Sequence, residues 1–315
     1  MTGEATIFFR KIFVFTLPLL LFFGLLELRL QGVANTYNMK RKNLESCLDS
    51  VEVLVVGSSH GLNGVNPKYL RARTYNLANT SQTLYYDEAL VLKYADRMPK
   101  LRVIVMPISY FSFFGNLEDI EEEWRTYYYD YFWGIGCDYT ENRFDLRKRS
   151  LTALYTPLTT LKYTVKGFRT HEVDSLERSG YMRKDTSAYY GTINDSTGLA
   201  KVRQHESERR LGRRGKIVGR LDAFLNVMRK KGIEVVFITT PVWRTYSKFL
   251  DQRILADNAG ILAGLERKYG YRYFDYGNDR RFGLSDFANN DHLNDRGARK
   301  FSRILDAEVI NHTGK

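Results

Sequence analysis

The residues best suited to chemistry sit in two short stretches far apart in the chain. Gly57-Ser58-Ser59-His60-Gly61 is a serine-bearing turn bounded by glycines, and Asn289-Asn290-Asp291-His292-Leu293-Asn294 gathers amide, acid and imidazole groups near the carboxyl end. A neutral serine hydroxyl is a poor nucleophile until a general base within hydrogen-bond reach takes its proton. His292 is the base on offer to Ser59, and a third group must hold its ring in the productive tautomer. Asn289 and Asp291 both qualify by type. Neighbouring side chains of an extended segment point to opposite sides, which disfavours Asp291 as the direct partner, although a loop can break that alternation. An Asn can fix the ring by accepting a hydrogen bond, as in Cys-His-Asn sites, but it brings no negative charge to the imidazolium. The plainer readings are a helix cap for Ser58 or Ser59 and a simple loop position for His292. His60, His171, His205 and His312 lack metal-ligand spacing, so no metal is assigned. No GxGxxG or phosphate-binding loop is present, and no nucleotide or other cofactor is expected.

Ser59 and His292 can meet only if the fold delivers both stretches to one edge. Apolar, β-branched runs at Val51–Val56, Tyr75–Leu77, Leu101–Met106, Ile233–Thr239 and Tyr271–Phe274 read as strands. Helical stretches fall between them: Asp87–Arg97, a helix ending at Phe224–Lys231 before Gly232, Asp251–Tyr269, and a last one near Arg296–Ile310. This alternation predicts an α/β fold, a parallel sheet with helices on both faces, whose ligands bind at the carboxyl ends of the strands. The turn matches G-x-S-x-G literally. However, its serine follows the first strand, and the acid and His come together late, unlike the α/β-hydrolase order. From about residue 111 to 215 the alternation fails, which predicts a helical insertion. Its tract Trp124, Tyr127, Tyr128, Tyr129, Tyr131, Phe132 and Trp133 is either a sugar-stacking platform or the glue that joins the insertion to its host.

A serine after the first strand together with a late His motif opening the last helix resembles the SGNH (GDSL-like) hydrolase superfamily. The resemblance is to its membrane-anchored cell-envelope branch, with the D-alanyl-lipoteichoic acid transfer proteins and polysaccharide O-acetyltransferase-associated proteins. It covers about 51–105 and 234–310. It implies a three-layer flavodoxin-like parallel sheet with Ser59 as nucleophile and Ser58 in place of the family's Asp. The second block maps to Asn76-Leu77-Ala78-Asn79-Thr80-Ser81-Gln82, with Ser81 where the family has its oxyanion-hole Gly. The backbone N–H groups of Ser59 and Ser81, with the Asn79 amide, would then receive charge developing on the acyl oxygen. The third block, Gly-x-Asn-Asp, has no counterpart at Met106-Pro107-Ile108-Ser109-Tyr110. The final Asp-x-x-His maps to Asn289 and His292. Two functions follow: an esterase or O-acyltransferase, acetyl foremost, or a degenerate fold that binds polysaccharide or a membrane acyltransferase without catalysis.

Composition narrows the setting. The chain has 315 residues, 43% hydrophobic and 14% aromatic, which excludes overall disorder. Ile12–Leu26 carries no charge and follows Arg10 and Lys11. Crossing a bilayer core takes about 20 apolar residues, and the flanking residues extend this run towards that length. It reads as a signal anchor with Arg10 and Lys11 cytoplasmic and the rest exported, although Lys40, Arg41 and Lys42 on the far side count against that orientation; the plainer reading is a buried hydrophobic helix. The expected organisation is 1–31 as cytoplasmic tip and anchor, 32–50 as a polar tether, and 51–315 as the SGNH-like domain. The net charge is +12, concentrated between Lys201 and Lys231, where eleven Lys/Arg face three acids. Such a stretch is a solvated helix face or a contact for glycan or anionic lipid. An exported domain would not meet nucleic acid; cell-envelope polysaccharide, an acyl donor and a membrane acyltransferase are the expected partners. Cys47 and Cys137 are either one bridge or two free thiols.

Overall fold

The computed structural model describes residues 3–137, 145–166, 171–185, 192–207 and 210–312. Five parallel strands, β1 (Val53–Val55), β2 (Thr74–Asn76), β3 (Val103–Pro107), β4 (Glu234–Thr239) and β5 (Tyr273–Asp275), pair in the order β2-β1-β3-β4-β5. That is the flavodoxin-like arrangement. Strand residues alternate between two cores. Leu54, Val56, Ile104, Met106, Val235 and Phe237 feed one; Val53, Val55, Val103, Val105, Val236 and Ile238 feed the other. Burial on both faces explains why the strands read as continuous apolar runs instead of alternating ones. Strand β1 is half the length of its apolar run Val51–Val56, while β3 and β5 each end one residue beyond the runs that predicted them.

Helix α1 (Gly3–Gln31) is the one described helix long and apolar enough to cross a membrane, with mean hydropathy 2.0 over its most apolar window and none of that window buried. The stretch expected to be a polar tether is folded instead. Helix α2 (Thr36–Glu45) starts in a reciprocal capping box between Asn35 and Asn38 and buries Tyr37 and Leu44 in the main core. Its Lys40 is 1% exposed, and Nζ donates to the carbonyls of Asn76 (2.9 Å), Ala78 (2.5 Å) and Gly180 (2.7 Å). Burial pushes the Lys40 pKa well down from that of a free lysine, while three carbonyl oxygens favour the ammonium. In the sequence, Lys40-Arg41-Lys42 falls within the expected polar tether. A polar composition cannot show that one of these side chains will find three carbonyls to satisfy it inside the protein.

Helices α3 (Ser59–Gly64) and α4 (Leu84–Tyr94) follow the first two strands. Among the described residues of the insertion there is no strand, only short helices: α5 (Leu151–Leu154), α6 (Pro157–Lys166) and α7 (Asp195–Ser207) are the ones used below. The aromatic tract is mostly packing. Tyr129 is fully buried and stacks on Tyr86 at 3.9 Å between centroids, Tyr128 stacks on Tyr37, and Trp133 meets Tyr94 edge-on. Only Trp124 is well exposed among the tract's seven residues. Four of the eleven basic residues in the stretch form described ion pairs with acids elsewhere in the molecule. Arg213 meets Asp119 (2.6 Å) just before α8 (Arg214–Lys230), Arg214 meets Asp257 (2.5 Å), Arg220 meets Glu88 (2.7 Å), and Lys231 meets Asp96. Arg209 and the side chain of His171 lie outside the described residues. Helices α9 (Gln252–Tyr269) and α10 (Asp295–Glu308) complete the chain, and Cys47 and Cys137 are not disulfide-bonded.

Candidate active site

Strand β1 ends at a tight turn that hands the chain to α3. Gly57 takes φ +109°, a conformation open to glycine, and a Cβ on Gly61 would sit 2.8 Å from the Val56 carbonyl oxygen. The two glycines therefore let α3 start directly above the strand, with Ser58 as its N-cap and Ser59 as its first residue. Asp87 of α4 braces the turn from below: its Oδ1 accepts from the Gly57 N–H (2.7 Å) and from Gln82 Nε2 (2.6 Å). Tyr129 of the insertion donates in turn to Gln82 Oε1 at 2.8 Å. Burial raises the Asp87 pKa to about 7 against the lowering effect of those two donors.

His292 arrives from a small loop before α10. An isolated antiparallel bridge joins Phe287 to Leu293, and the Ala288 N–H donates to the His292 carbonyl at 2.9 Å. The chain bends through Asn289, Asn290 and Asp291, so strand alternation does not apply there. His292 Nε2 stands 2.7 Å from Ser59 Oγ. On the other side of the ring, Nδ1 faces Asp291 Oδ1 at 3.0 Å and Asn289 Oδ1 at 3.1 Å. Asn289 Oδ1 also accepts the backbone N–H groups of Asp291 (3.2 Å) and His292 (2.8 Å). Those donors fix the amide so that its oxygen points at the ring. With two acceptors on that side, Nδ1 must carry the proton, which leaves Nε2 free to accept from the serine.

Asp291 is fully buried, and burial alone would raise its pKa; His292, His60 and their hydrogen bonds outweigh that and hold it well below the usual carboxylate range. Burial lowers the His292 pKa below its ordinary value, opposed by Asp291. The pair at neutral pH is thus a carboxylate beside a neutral imidazole.

The sequence did not single out His60 as part of this group. Its Nε2 lies 3.4 Å from Asp291 Oδ2, and its Nδ1 lies 2.8 Å from Ser109 Oγ. The Ser109 hydroxyl donates to Nδ1, so Nε2–H points at the carboxylate. His205 of α7 also approaches, with Nε2 4.0 Å from Asp291 Oδ2 and Nδ1 2.8 Å from the Tyr246 hydroxyl. Burial takes its pKa down to about 3. His60, Asp291 and His292 bring ligand-type atoms within 4.8 Å of one another. Each is already engaged in this relay, so a metal ion there would have to displace the hydrogen bonds that orient the base. The adjacency of His60 to Ser59 in a helical turn was the one sequence signal for its placement.

Ser59, Ser81, Asn289 and His292 line one cavity of about 610 Å³, with Lys184 and Lys201 of the insertion on its wall. Ser81 takes φ +54°, the left-handed region that glycine adopts freely, and is the only non-glycine there among the described residues. Its hydroxyl bonds to Glu122, which is paired with Arg125 at 2.9 Å. Among the described hydrogen bonds, the backbone N–H groups of Ser59 and Ser81 have no protein acceptor. Asn79 is placed differently. It is 3% exposed and lies outside the cavity lining, its Oδ1 accepting from the Thr80 N–H. The residues present can therefore perform proton transfer from Ser59 to His292, with backbone donors at the same cavity.

No protein-family model matches the chain, and no curated protein matches it by sequence. Among solved structures it is similar to a crystal structure from Bacteroides fragilis provisionally described as an acylhydrolase. The identity is 10% and the TM-score 0.42, over 88% of this chain and 98% of that one. The fold class rests on the sheet itself. It is a flavodoxin-like α/β fold.

Proposed function

We propose that this chain is a membrane-anchored serine esterase or O-acyltransferase of SGNH type, acting on an acyl group, acetyl foremost, of a cell-envelope polysaccharide. Arg10 and Lys11 would lie on the cytoplasmic side and the catalytic domain on the far side. The observation that carries the reading is the contact of Ser59 Oγ with a His292 whose far nitrogen faces a buried carboxylate. In the reaction, His292 Nε2 takes the Ser59 proton as Oγ bonds to the acyl carbon. The carbonyl oxygen gains the charge and meets the backbone N–H groups of Ser59 and Ser81. Collapse expels the alcohol, which leaves with the proton from His292. Water or a sugar hydroxyl then attacks the acyl-serine by the same steps in reverse, giving hydrolysis or transfer.

A second reading, a non-catalytic binder, is favoured by one observation. At the third block, Ser109 turns its hydroxyl to His60, and no Asn stands there to assist the oxyanion. Losing one such donor typically costs about 10²–10³ in rate, which slows an esterase without abolishing it. A fluorophosphonate probe separates the two. A catalytic Ser59 becomes covalently labelled, and Ser59→Ala abolishes both labelling and hydrolysis of an activated acetyl ester. Ser58→Ala, which removes a cap worth about 1 kcal/mol, retains most of both. Absence of labelling in the folded wild-type protein would favour the binder, and labelling that survives Ser59→Ala would mean another serine reacts.

A further inference from the structure

Helix α6 packs beside α1, yet its outward face carries two leucines beside the exposed Lys162. Leu158 and Leu161, three residues apart and so on one face, are 76% and 58% exposed, and Leu146 on the turn before α5 is 70% exposed. The other face, with Thr159, Thr160, Tyr163 and Thr164, is half-buried. Tyr163 meets Tyr155 edge-on at 5.3 Å, and Tyr155 hydrogen-bonds Tyr128 at 3.0 Å. A helix on a water-facing domain turns its leucines inward; this one is held by threonines and tyrosines and turns them out.

The neighbouring end of α1 fixes this arrangement. Glu27 accepts from the backbone N–H groups of Leu151 (2.9 Å) and Thr152 (3.0 Å), from Ser150 Oγ (2.9 Å) and from the Tyr131 hydroxyl (2.8 Å). Leu25 and Leu28 beside it are 67% and 65% exposed, so the apolar surface of α1 continues towards the leucines of α6. Arg147, Lys148, Arg149 and Lys162 stand in the same segment against a single acid, Asp145, which Arg147 already engages. With ten residues, α6 is too short to cross a bilayer. Exposed leucines, basic flanks and a position next to a spanning helix fit the boundary between headgroups and acyl chains.

We propose that α6 lies in that boundary, in the same bilayer that α1 crosses, with Leu158 and Leu161 inserted among the lipids. Together with Glu27 of α1, which holds the neighbouring α5, it fixes how the catalytic domain stands on the membrane. The proposal rests on the reading of α1 as a membrane span, and its test separates the two. In the full chain carrying Cys47→Ala and Cys137→Ala, single cysteines are introduced by Leu158→Cys, Leu161→Cys, Phe22→Cys or Lys230→Cys. Each is labelled with an environment-sensitive fluorophore and placed in nanodiscs of phosphatidylcholine and phosphatidylglycerol, with or without nitroxide-bearing lipid. Positions 158 and 161 should show blue-shifted emission, quenched most by a shallow nitroxide. Position 22 should be quenched most by a deep one, and position 230 by neither. If 22 is quenched while 158 and 161 behave like 230, the span stands and the interfacial helix is overturned, leaving that face for a protein partner. If 22 is also unquenched, the span falls and this proposal falls with it.

Discussion

Asp291 is approached by three imidazoles and has two oxygens to share among them. Of the two described groups that face Nδ1 of His292, Asp291 brings the negative charge and Asn289 an oxygen without one. Asp291→Asn should therefore lower the rate with an activated acetyl ester by roughly 10⁴, the scale of the analogous triad change, while Asn289→Asp should do little. A rate gain in Asn289→Asp with no loss in Asp291→Asn would give the orienting role to position 289. The acid limb of the rate profile should lie below the ordinary His pKa near 6.5, since burial favours neutral His292 and activity is lost once the ring protonates. Asp87 gives a separate pH effect, on stability. Its folded pKa is raised, so between about pH 4 and 7 the folded state holds a proton that the unfolded state has released, and stability falls as pH rises through that window. Asp87→Asn keeps the acceptor for Gly57 and should flatten that part of the melting-temperature profile. An unchanged slope would place the proton elsewhere.

At the scale of elements, α2 links α1 to the rim of the candidate site. Lys40 binds the carbonyls of Asn76 and Ala78, at the end of β2 and just beyond it, shortly before Ser81. Lys40→Met leaves three buried carbonyls without this donor and should cost a few kcal/mol, at about 1–3 kcal/mol for a buried acceptor left unsatisfied. Chemical denaturation of the detergent-solubilised chain measures it, and a loss under about 1 kcal/mol would show that the ammonium contributes little. The same reasoning reinterprets the basic stretch. Arg213→Glu and Arg214→Glu would set carboxylates against Asp119 and Asp257. These changes should lower the melting temperature whether or not glycan or lipid is present, so a binding defect in such variants does not by itself identify a docking face.

For the whole molecule, with α1 taken as the proposed membrane span, the decisive quantity is the side of the membrane on which the cavity opens. Arg10 and Lys11 precede the apolar run, but Lys40, Arg41 and Lys42 follow it. Topology is set while the chain inserts, before folding buries Lys40, so all three downstream charges count against the proposed orientation. A reporter fused after residue 315 should be active only if it works outside the cytoplasm. Activity of a cytoplasm-only reporter would invert the orientation and with it the access to envelope polysaccharide.

The sequence by itself determined the parallel α/β plan and the meeting of Ser59 with His292. Strand content is written locally in apolar runs, and a parallel sheet delivers the loops after its strands to one rim. It also placed Gly57 and Gly61 at the two ends of the serine turn, while the reason they must lack a side chain, the close approach of α3 to the strand end, is visible only in the structure. Only the tertiary structure decided the rest. Asp291 reaches His292 because the loop from Asn289 to His292 bends, and side-chain direction in a bend depends on how the loop closes, not on residue order. His60 and His205 join the carboxylate through contacts between distant segments. Lys40 is buried because three carbonyls from separate parts of the chain converge on it, and the aromatic tract is packing because α2 and α4 present rings to match. Such convergence arises when the sheet and its insertion close around one another, and no local pattern of residues carries it.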